Sequence, residues 1–179
     1  MSKNLKKLTA TAIGIALFVV LALCVQVPVF QNYYLCLGYV AMAVYCFSFG
    51  PLSGTAVGAL GVVLYCLLTS GLRGMPGWAL GNIPIGLGLG LCFAAARRMK
   101  SRWLGLLICV PVTVAACALG ILGVKSLTES MLYLQPFAVR AAKNTAAFVA
   151  DAVVLLLSLP LCLRLDGPAR KLFPALCAK

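Results

Sequence analysis

Long apolar runs dominate this sequence, and several approach the roughly 20 residues that an α-helix needs to cross a lipid bilayer. Of the 179 residues, 63% are hydrophobic and only 10% are charged, whereas soluble domains carry about 25% charged residues. Such a chain buries its apolar surface in lipid. We therefore predict an all-α integral membrane bundle, formed by a single transmembrane domain over residues 1–179.

Proline, glycine and charged residues divide the apolar runs into six predicted transmembrane helices. Their approximate ranges are 8–27, 33–49, 52–70, 78–96, 103–124 and 138–163. A basic hairpin separates helices 4 and 5. A polar connection from Lys125 to Gln135 is predicted to separate helices 5 and 6.

The net charge of +12 is better explained by membrane orientation than by nucleic-acid binding, because the basic residues lie at the ends of the apolar runs. In the six-helix arrangement, 11 of the 15 Lys and Arg residues fall on one side. Short cytoplasmic loops are enriched in Lys and Arg. We therefore predict that both termini are cytoplasmic.

Residues typical of catalysis are scarce. Histidine is absent, no G-x-x-x-x-G-K-[ST] phosphate loop occurs, and the three acidic residues are scattered as Glu129, Asp151 and Asp166. The nine cysteines form no C-x-x-C pair and are best explained as reduced, apolar packing residues. We predict no enzymatic activity, no catalytic residue, no metal site and no cofactor.

Two glycine-rich segments and a pair of alanines carry a resemblance to a known family. The segment 48–61 contains the pattern F-G-P-x-x-G-x-x-x-G, and the segment 78–90 reads W-A-L-G-N-I-P-I-G-L-G-L-G. Ala12 and Ala16 form a small-x-x-x-small pair in helix 1. Together with the length and the six helices, these features resemble the substrate-binding S component of an energy-coupling factor (ECF) vitamin transporter.

The resemblance implies a high-affinity binding subunit of an importer in the bacterial cell membrane. Such a subunit captures a vitamin-like small molecule outside the cell. It delivers this cargo inward with a transmembrane coupling (T) component and two ATPase subunits. Ala12 and Ala16 match the helix 1 motif that the family presents to its membrane partner. Membrane lipid is a further expected partner, and nucleic acid is not.

Polar residues on the predicted outer side suggest a site for an anionic ligand. The spacing of three and four residues predicts one shared helical face near the start of helix 6 for Arg140, Lys143 and Asn144. Cations on the outer side run against the orientation bias, and a bound anion would offset that cost. Snorkelling toward lipid headgroups is the alternative. Further candidate binding residues are Trp78, Asn82, Asn32, Tyr33 and Tyr34, while Arg73, Lys125 and Gln31 approach from the outer loops.

Two other classes of function remain open, a stand-alone ion-coupled carrier and a structural membrane protein without a ligand. Asp151 bears on the first, because it is the clearest acid within a predicted helix. A charge there costs roughly 2.5–3.5 kcal/mol on insertion scales. Asp151 must therefore be paired, hydrogen-bonded or protonated, and we predict a structural role for it.

Overall fold

A computed structural model describes residues 3–24, 26–30, 33–99 and 101–172. Helices make up most of this part of the chain, and one two-stranded hairpin interrupts them. In chain order the elements are α1 (Lys3–Cys24), β1 (Gln26–Phe30), β2 (Tyr33–Cys36), α2 (Gly38–Phe49), α3 (Pro51–Leu68), α4 (Met75–Ala96), α5 (Arg102–Ala118), a π-helical segment (Leu119–Lys125), α6 (Ser126–Tyr133) and α7 (Phe137–Leu172).

Five helical stretches are long and apolar enough to cross a membrane. They are Leu5–Cys24, Pro51–Leu68, Met75–Ala96, Trp103–Tyr133 and Phe137–Cys162, and a shorter apolar helix covers Gly38–Phe49. The predicted bundle of apolar helices is thereby confirmed. The orientation of the termini stays a prediction.

The prediction was wrong between helices 1 and 2. Helix 1 was expected to reach Val27 and helix 2 to begin at Tyr33, but an antiparallel hairpin of β1 and β2 lies there instead. Pro28 lacks the backbone N–H that a helix interior requires, and Val, Phe and Tyr favour strands. The end of the bundle that carries this hairpin is called the hairpin end below.

The prediction was also wrong between helices 5 and 6. Residues 125–135 were expected to form a loop, but the helix continues through the π-helical segment into α6 and stops only at Tyr133. Leu134 then takes up a left-handed backbone conformation, with φ of 51° and ψ of 39°. The last helix is longer than predicted, because α7 runs to Leu172 rather than 163.

Close approach of α4 to its neighbours sets the shape of the bundle. A Cβ atom added at Gly86 would lie 2.6 Å from Thr55 Oγ1 of α3, and one added at Gly81 would lie 2.7 Å from the Gly120 carbonyl oxygen. Only glycine leaves room for these contacts. The apolar core around α4 includes Phe18, Met42, Ile85 and Leu89.

Candidate functional site

A chain of hydrogen bonds joins α2 to α4 at the hairpin end. Trp78 Nε1 donates to the Tyr39 hydroxyl at 2.9 Å, and that hydroxyl lies 2.8 Å from Asn82 Oδ1, to which it donates. Asn82 Nδ2 in turn donates to the Gly58 carbonyl oxygen of α3 at 2.9 Å. Tyr39 and Asn82 are buried, so this chain fixes their side chains and orients the half-buried indole. We call Tyr39, Trp78 and Asn82 the tyrosine group.

A second set of polar side chains joins α6 to α7. Asn144 Nδ2 lies 3.0 Å from both Ser126 Oγ and Glu129 Oε2, and it donates to them. Arg140 Nη1 lies 3.9 Å from the same Glu129 oxygen. The Arg140 guanidinium also stacks over the Tyr133 ring, 4.2 Å from its centroid. We call Ser126, Glu129, Arg140 and Asn144 the glutamate group.

The two groups are neighbours. A Cβ atom added at Gly77, the residue before Trp78, would lie 3.1 Å from Glu129 Cγ. Lys125 lies beside both groups, because a Cβ added at Gly77 would lie 3.4 Å from Lys125 Cγ, and its positive charge acts on the buried Asp151 carboxyl. Two of the three acidic residues of the chain therefore belong to this one cluster.

The π-helical segment explains how α5 delivers polar residues to the site. Its wider turns shift the phase of the helix, and such segments occur frequently at functional sites. Ser126 Oγ donates to the Ile121 carbonyl oxygen, five residues earlier, at 3.0 Å. Gly120 permits the contact with Gly81 that brings this segment against α4. Lys125, Ser126 and Glu129 consequently face the bundle rather than forming a loop.

The cluster offers both donors and acceptors beside an aromatic surface. Arg140 Nε is buried and has no hydrogen-bond partner within the described part of the chain. The Trp78 indole and the carboxylate of Glu129 add a flat face and an acceptor. Over the same described residues, no group of three or more His, Cys, Asp or Glu residues is arranged to hold a metal ion. This chemistry suits binding of a flat, polar small molecule.

Four of the predicted binding residues lie in the cluster, namely Trp78, Asn82, Arg140 and Asn144. Lys143 does not join them, because it is exposed while Asn144 is buried. Consecutive residues of an α-helix point about 100° apart, so Lys143 cannot share the buried face of Asn144. The shared face predicted for Arg140, Lys143 and Asn144 is therefore wrong for Lys143.

The remaining predicted residues contribute less to the described cluster. Arg73 is exposed, and its carbonyl oxygen accepts a hydrogen bond from the Tyr133 hydroxyl at 2.6 Å. Tyr33 and Tyr34 begin β2, but their side chains lie outside the described part of the structure. Asn32 and Gln31 also lie outside the described residues.

Sequence reasoning missed Tyr39, Ser126 and Glu129 as members of the site. Tyr39 lies in an apolar run, and nothing in the sequence around it indicates a binding residue. Glu129 could have been recognised, because the chain has only three acidic residues and an acid at membrane depth needs a partner. It was missed because residues 125–135 were expected to form a loop.

Ala12 and Ala16 lie on the outside of the bundle. Both are exposed, whereas Gly14 and Phe18 on the same helix are buried. Gly14 faces the bundle so closely that an added Cβ would lie 2.6 Å from the Tyr45 ring. The alanine pair is thus directed away from this chain's own core, and packing within the bundle does not account for it.

Comparison with known sequences decides the family. A sequence model described as "ECF-type riboflavin transporter, S component" matches residues 2–166. The chain belongs to this S-component family. This family consists of transporter subunits rather than enzymes, and the long apolar helices agree with a multi-pass membrane protein.

One solved structure and several curated proteins are also similar to the chain. The S component shares its fold with the crystal structure of the S component for biotin from an ECF-type ABC transporter, with a TM-score of 0.61 and 17% identity over 93% of this chain and 95% of that one. Curated relatives match over shorter stretches. A UPF0397 protein of Lactococcus lactis subsp. cremoris is 36% identical over 92 residues, and one of Streptococcus thermophilus is 33% identical over 63 residues. These matches span 49% and 35% of the relatives' own lengths.

Proposed function

We propose that this S component captures a vitamin at the hairpin end and passes it inward with a T component and two ATPase subunits. The observation that carries the proposal is the concentration of polar groups in an otherwise apolar bundle. Four segments, α2, α4, the helix from the π-helical segment through α6, and α7, each send buried polar side chains to one place. Satisfying so many polar groups in a membrane is costly unless they serve a ligand.

The tyrosine group is proposed to hold a flat ring against Trp78. The indole is only half-buried, so it has surface left for stacking, and Tyr39 fixes its orientation. Riboflavin is the first ligand to test, because the family description names it and its ring is flat and rich in hydrogen-bonding atoms. Glu129, Asn144 and Arg140 would then meet polar groups of the ligand.

The charge of the ligand remains a separate proposal. An anion would be held by Arg140, with Lys143 and Arg73 contributing from the exposed rim. The glutamate group weakens the argument for an anion, because the Glu129 carboxylate already lies 3.9 Å from Arg140. Its negative charge offsets that of Arg140, which favours an uncharged ligand in the cluster and leaves an anionic group for the rim.

The test is direct titration of the purified protein with riboflavin and with its phosphate ester, each followed by quenching of flavin fluorescence. Biotin is the control ligand, and because it is not fluorescent its binding is measured by isothermal titration. Saturable binding of either flavin that is lost in Asn82→Leu supports the site. Tighter binding of the phosphate ester supports the anionic proposal, and tighter binding of riboflavin contradicts it. Absence of binding to all three ligands would contradict the choice of ligand.

Association with energising subunits separates the proposal from its two alternatives. Purification of the tagged protein from its native membrane is expected to recover a T component and ATPases, because Ala12 and Ala16 offer a small-residue surface for a partner helix. Uptake by the chain alone, abolished by an uncoupler, would favour a stand-alone carrier. If neither a bound ligand nor associated ATPases are found, the alternative of a structural membrane protein is favoured.

A further inference from the structure

Two thiols meet between α4 and α5, at the opposite end of the bundle from the candidate site. Cys92 Sγ lies 2.9 Å from Cys109 Sγ, and the two residues are 17 positions apart. Both side chains are buried. A disulfide bond has an S–S distance of about 2.05 Å, so the two sulfur atoms need to approach by less than about 1 Å to be joined.

Small residues on either side of the thiols keep the two helices close. One turn before Cys92, a Cβ added at Gly88 would lie 2.7 Å from Ala116 Cβ. One turn after it, a Cβ added at Gly105 would lie 3.0 Å from Ala96 Cβ. The antiparallel helices are therefore in close contact above and below the thiols. A disulfide requires Cα atoms within about 7 Å, and this packing supplies such an approach.

We propose that Cys92 and Cys109 form an oxidation site, at which a peroxide converts the two thiols to an intramolecular disulfide that joins α4 to α5. Hydrogen peroxide is small and uncharged, so it reaches sites that larger oxidants do not. Cys92 is the more exposed of the pair, at 8% against 0%. It is accordingly the first to react.

The reaction balances without further reactants. The Cys92 sulfur attacks one peroxide oxygen, the O–O bond breaks, and one water leaves a sulfenic acid on Cys92. The Cys109 sulfur then attacks Cys92 Sγ, the S–O bond breaks, and the sulfenic hydroxyl leaves as a second water after taking up the Cys109 thiol proton. Two thiols are oxidised and one peroxide is reduced to two waters.

The disulfide would join two helices that carry or lead to residues of the candidate site. Helix α4 carries Trp78 and Asn82, and α5 leads through the π-helical segment to Lys125 and Glu129. The two thiols lie near the short connection between α4 and α5. A bond between them therefore joins the two helices at a distance from the polar cluster. Two other buried cysteines instead approach carbonyl oxygens, Cys46 that of Gly86 at 3.4 Å and Cys117 that of Phe148 at 3.9 Å.

The test uses the full chain in detergent micelles, in a Cys117→Ala background. After treatment with hydrogen peroxide, free thiols are alkylated, the protein is denatured, and trypsin releases peptides 74–97 and 103–125. In this background each peptide contains one cysteine, Cys92 or Cys109. Mass spectrometry is expected to find the two peptides joined, and dithiothreitol is expected to separate them.

Two variants serve as controls. Cys92→Ala is expected to abolish the joined peptides, while Cys162→Ala, which removes another buried thiol, is expected to retain them. The proposal is overturned if the peptides of the peroxide-treated protein are found separate with Cys92 and Cys109 both alkylated, or if Cys92 is joined to another cysteine. The linkage of the two peptides is read directly in the peroxide-treated Cys117→Ala protein. The proposal can therefore be tested even if the Cys92→Ala variant folds poorly.

Discussion

The Tyr39 hydroxyl donates to Asn82 Oδ1 at 2.8 Å, although the two residues lie 43 positions apart. The same hydroxyl accepts from Trp78 Nε1 at 2.9 Å. One oxygen atom thus connects α2 to two successive turns of α4. Since the edge-on Phe18 ring packs against Tyr39, with centroids 6.1 Å apart, the tyrosine ring has little freedom to move.

Removing that oxygen is expected to impair ligand binding more than folding. Tyr39→Phe keeps the ring but removes the hydroxyl that holds the Trp78 indole and the Asn82 amide in position, so both side chains lose their fixed orientation toward a ligand. We expect ligand affinity to fall by roughly tenfold or more, equivalent to about 1.4 kcal/mol. Titration measures the affinity. Tyr45→Phe, on the same helix, is the control, and an equal effect of both changes would contradict the role of Tyr39.

The contact between Gly81 and Gly120 is expected to tolerate no side chain. In Gly81→Ala the new Cβ would lie 2.7 Å from the Gly120 carbonyl oxygen, a backbone atom that can move only if the π-helical segment moves. That shift would displace Lys125 and Glu129, so we expect loss of binding and a lower melting temperature. Gly123→Ala, in the π-helical segment, is the matched control, because a Cβ added there would lie 3.6 Å from its nearest neighbour, Leu119 Cδ1. Gly81→Ala with normal affinity would argue against this coupling.

Arg140 and Lys143 are expected to differ in their effect on affinity. Arg140→Gln removes a cation that interacts with Glu129 inside the cluster, whereas Lys143→Gln changes an exposed residue. We expect a loss of roughly tenfold or more for Arg140→Gln, in line with the about 1.5–3 kcal/mol assigned to charged hydrogen bonds, and less than threefold for Lys143→Gln. Isothermal titration at two salt concentrations provides the affinities. Unchanged affinity in both variants would remove the cations from the site, and a ligand of net positive charge would rule out the anionic proposal.

Asp151 is expected to support the fold rather than the ligand. Asp151→Asn keeps the size of this buried side chain but replaces its carboxyl group by an amide. A changed hydrogen-bonding capacity at a buried position is unfavourable, so we expect a lower melting temperature with ligand affinity within a few-fold of normal. A large loss of affinity in a protein that melts normally would place Asp151 in the site.

The exposed alanines of α1 are expected to matter for assembly alone. Ala12→Trp with Ala16→Trp puts two large rings on the outer face of α1, away from the tyrosine group. We expect normal ligand affinity and loss of association with the T component. Co-purification and titration are measured on the same sample. Leu107→Trp, on an exposed position of α5, is the control. Assembly that survives while binding fails would show that the surface is internal.

The bundle was predictable because apolar length and proline positions dictate it. Residues 52–70 were predicted for the third helix and α3 covers Pro51–Leu68, since Gly50 and Pro51 form a sharp boundary. Gly50 has φ of 94°, a conformation that favours glycine. The fourth helix was found with similar accuracy, at Met75–Ala96 instead of 78–96.

The polar cluster was only partly predictable. Composition between Lys125 and Gln135 suggested a loop, but no Gly or Pro interrupts Ser126–Leu134, and most residues there tolerate a helix. Trp78, Asn82, Arg140 and Asn144 were recognisable by polarity at the helix ends. Their mutual arrangement depends on the phase shift of the π-helical segment, for which the hydrophobic pattern carries no clear signal.

The charges of the cluster are divided between two helices that enter the membrane at different times during synthesis. Glu129 and Lys125 precede the turn at Leu134, while Arg140 and Asp151 follow it. Each charge alone is unfavourable in lipid, and Arg140 meets the Glu129 carboxylate from the other side of the turn. Stable insertion of the α6 region should therefore wait for α7, so that the last third of the chain leaves the translocon as one helical hairpin.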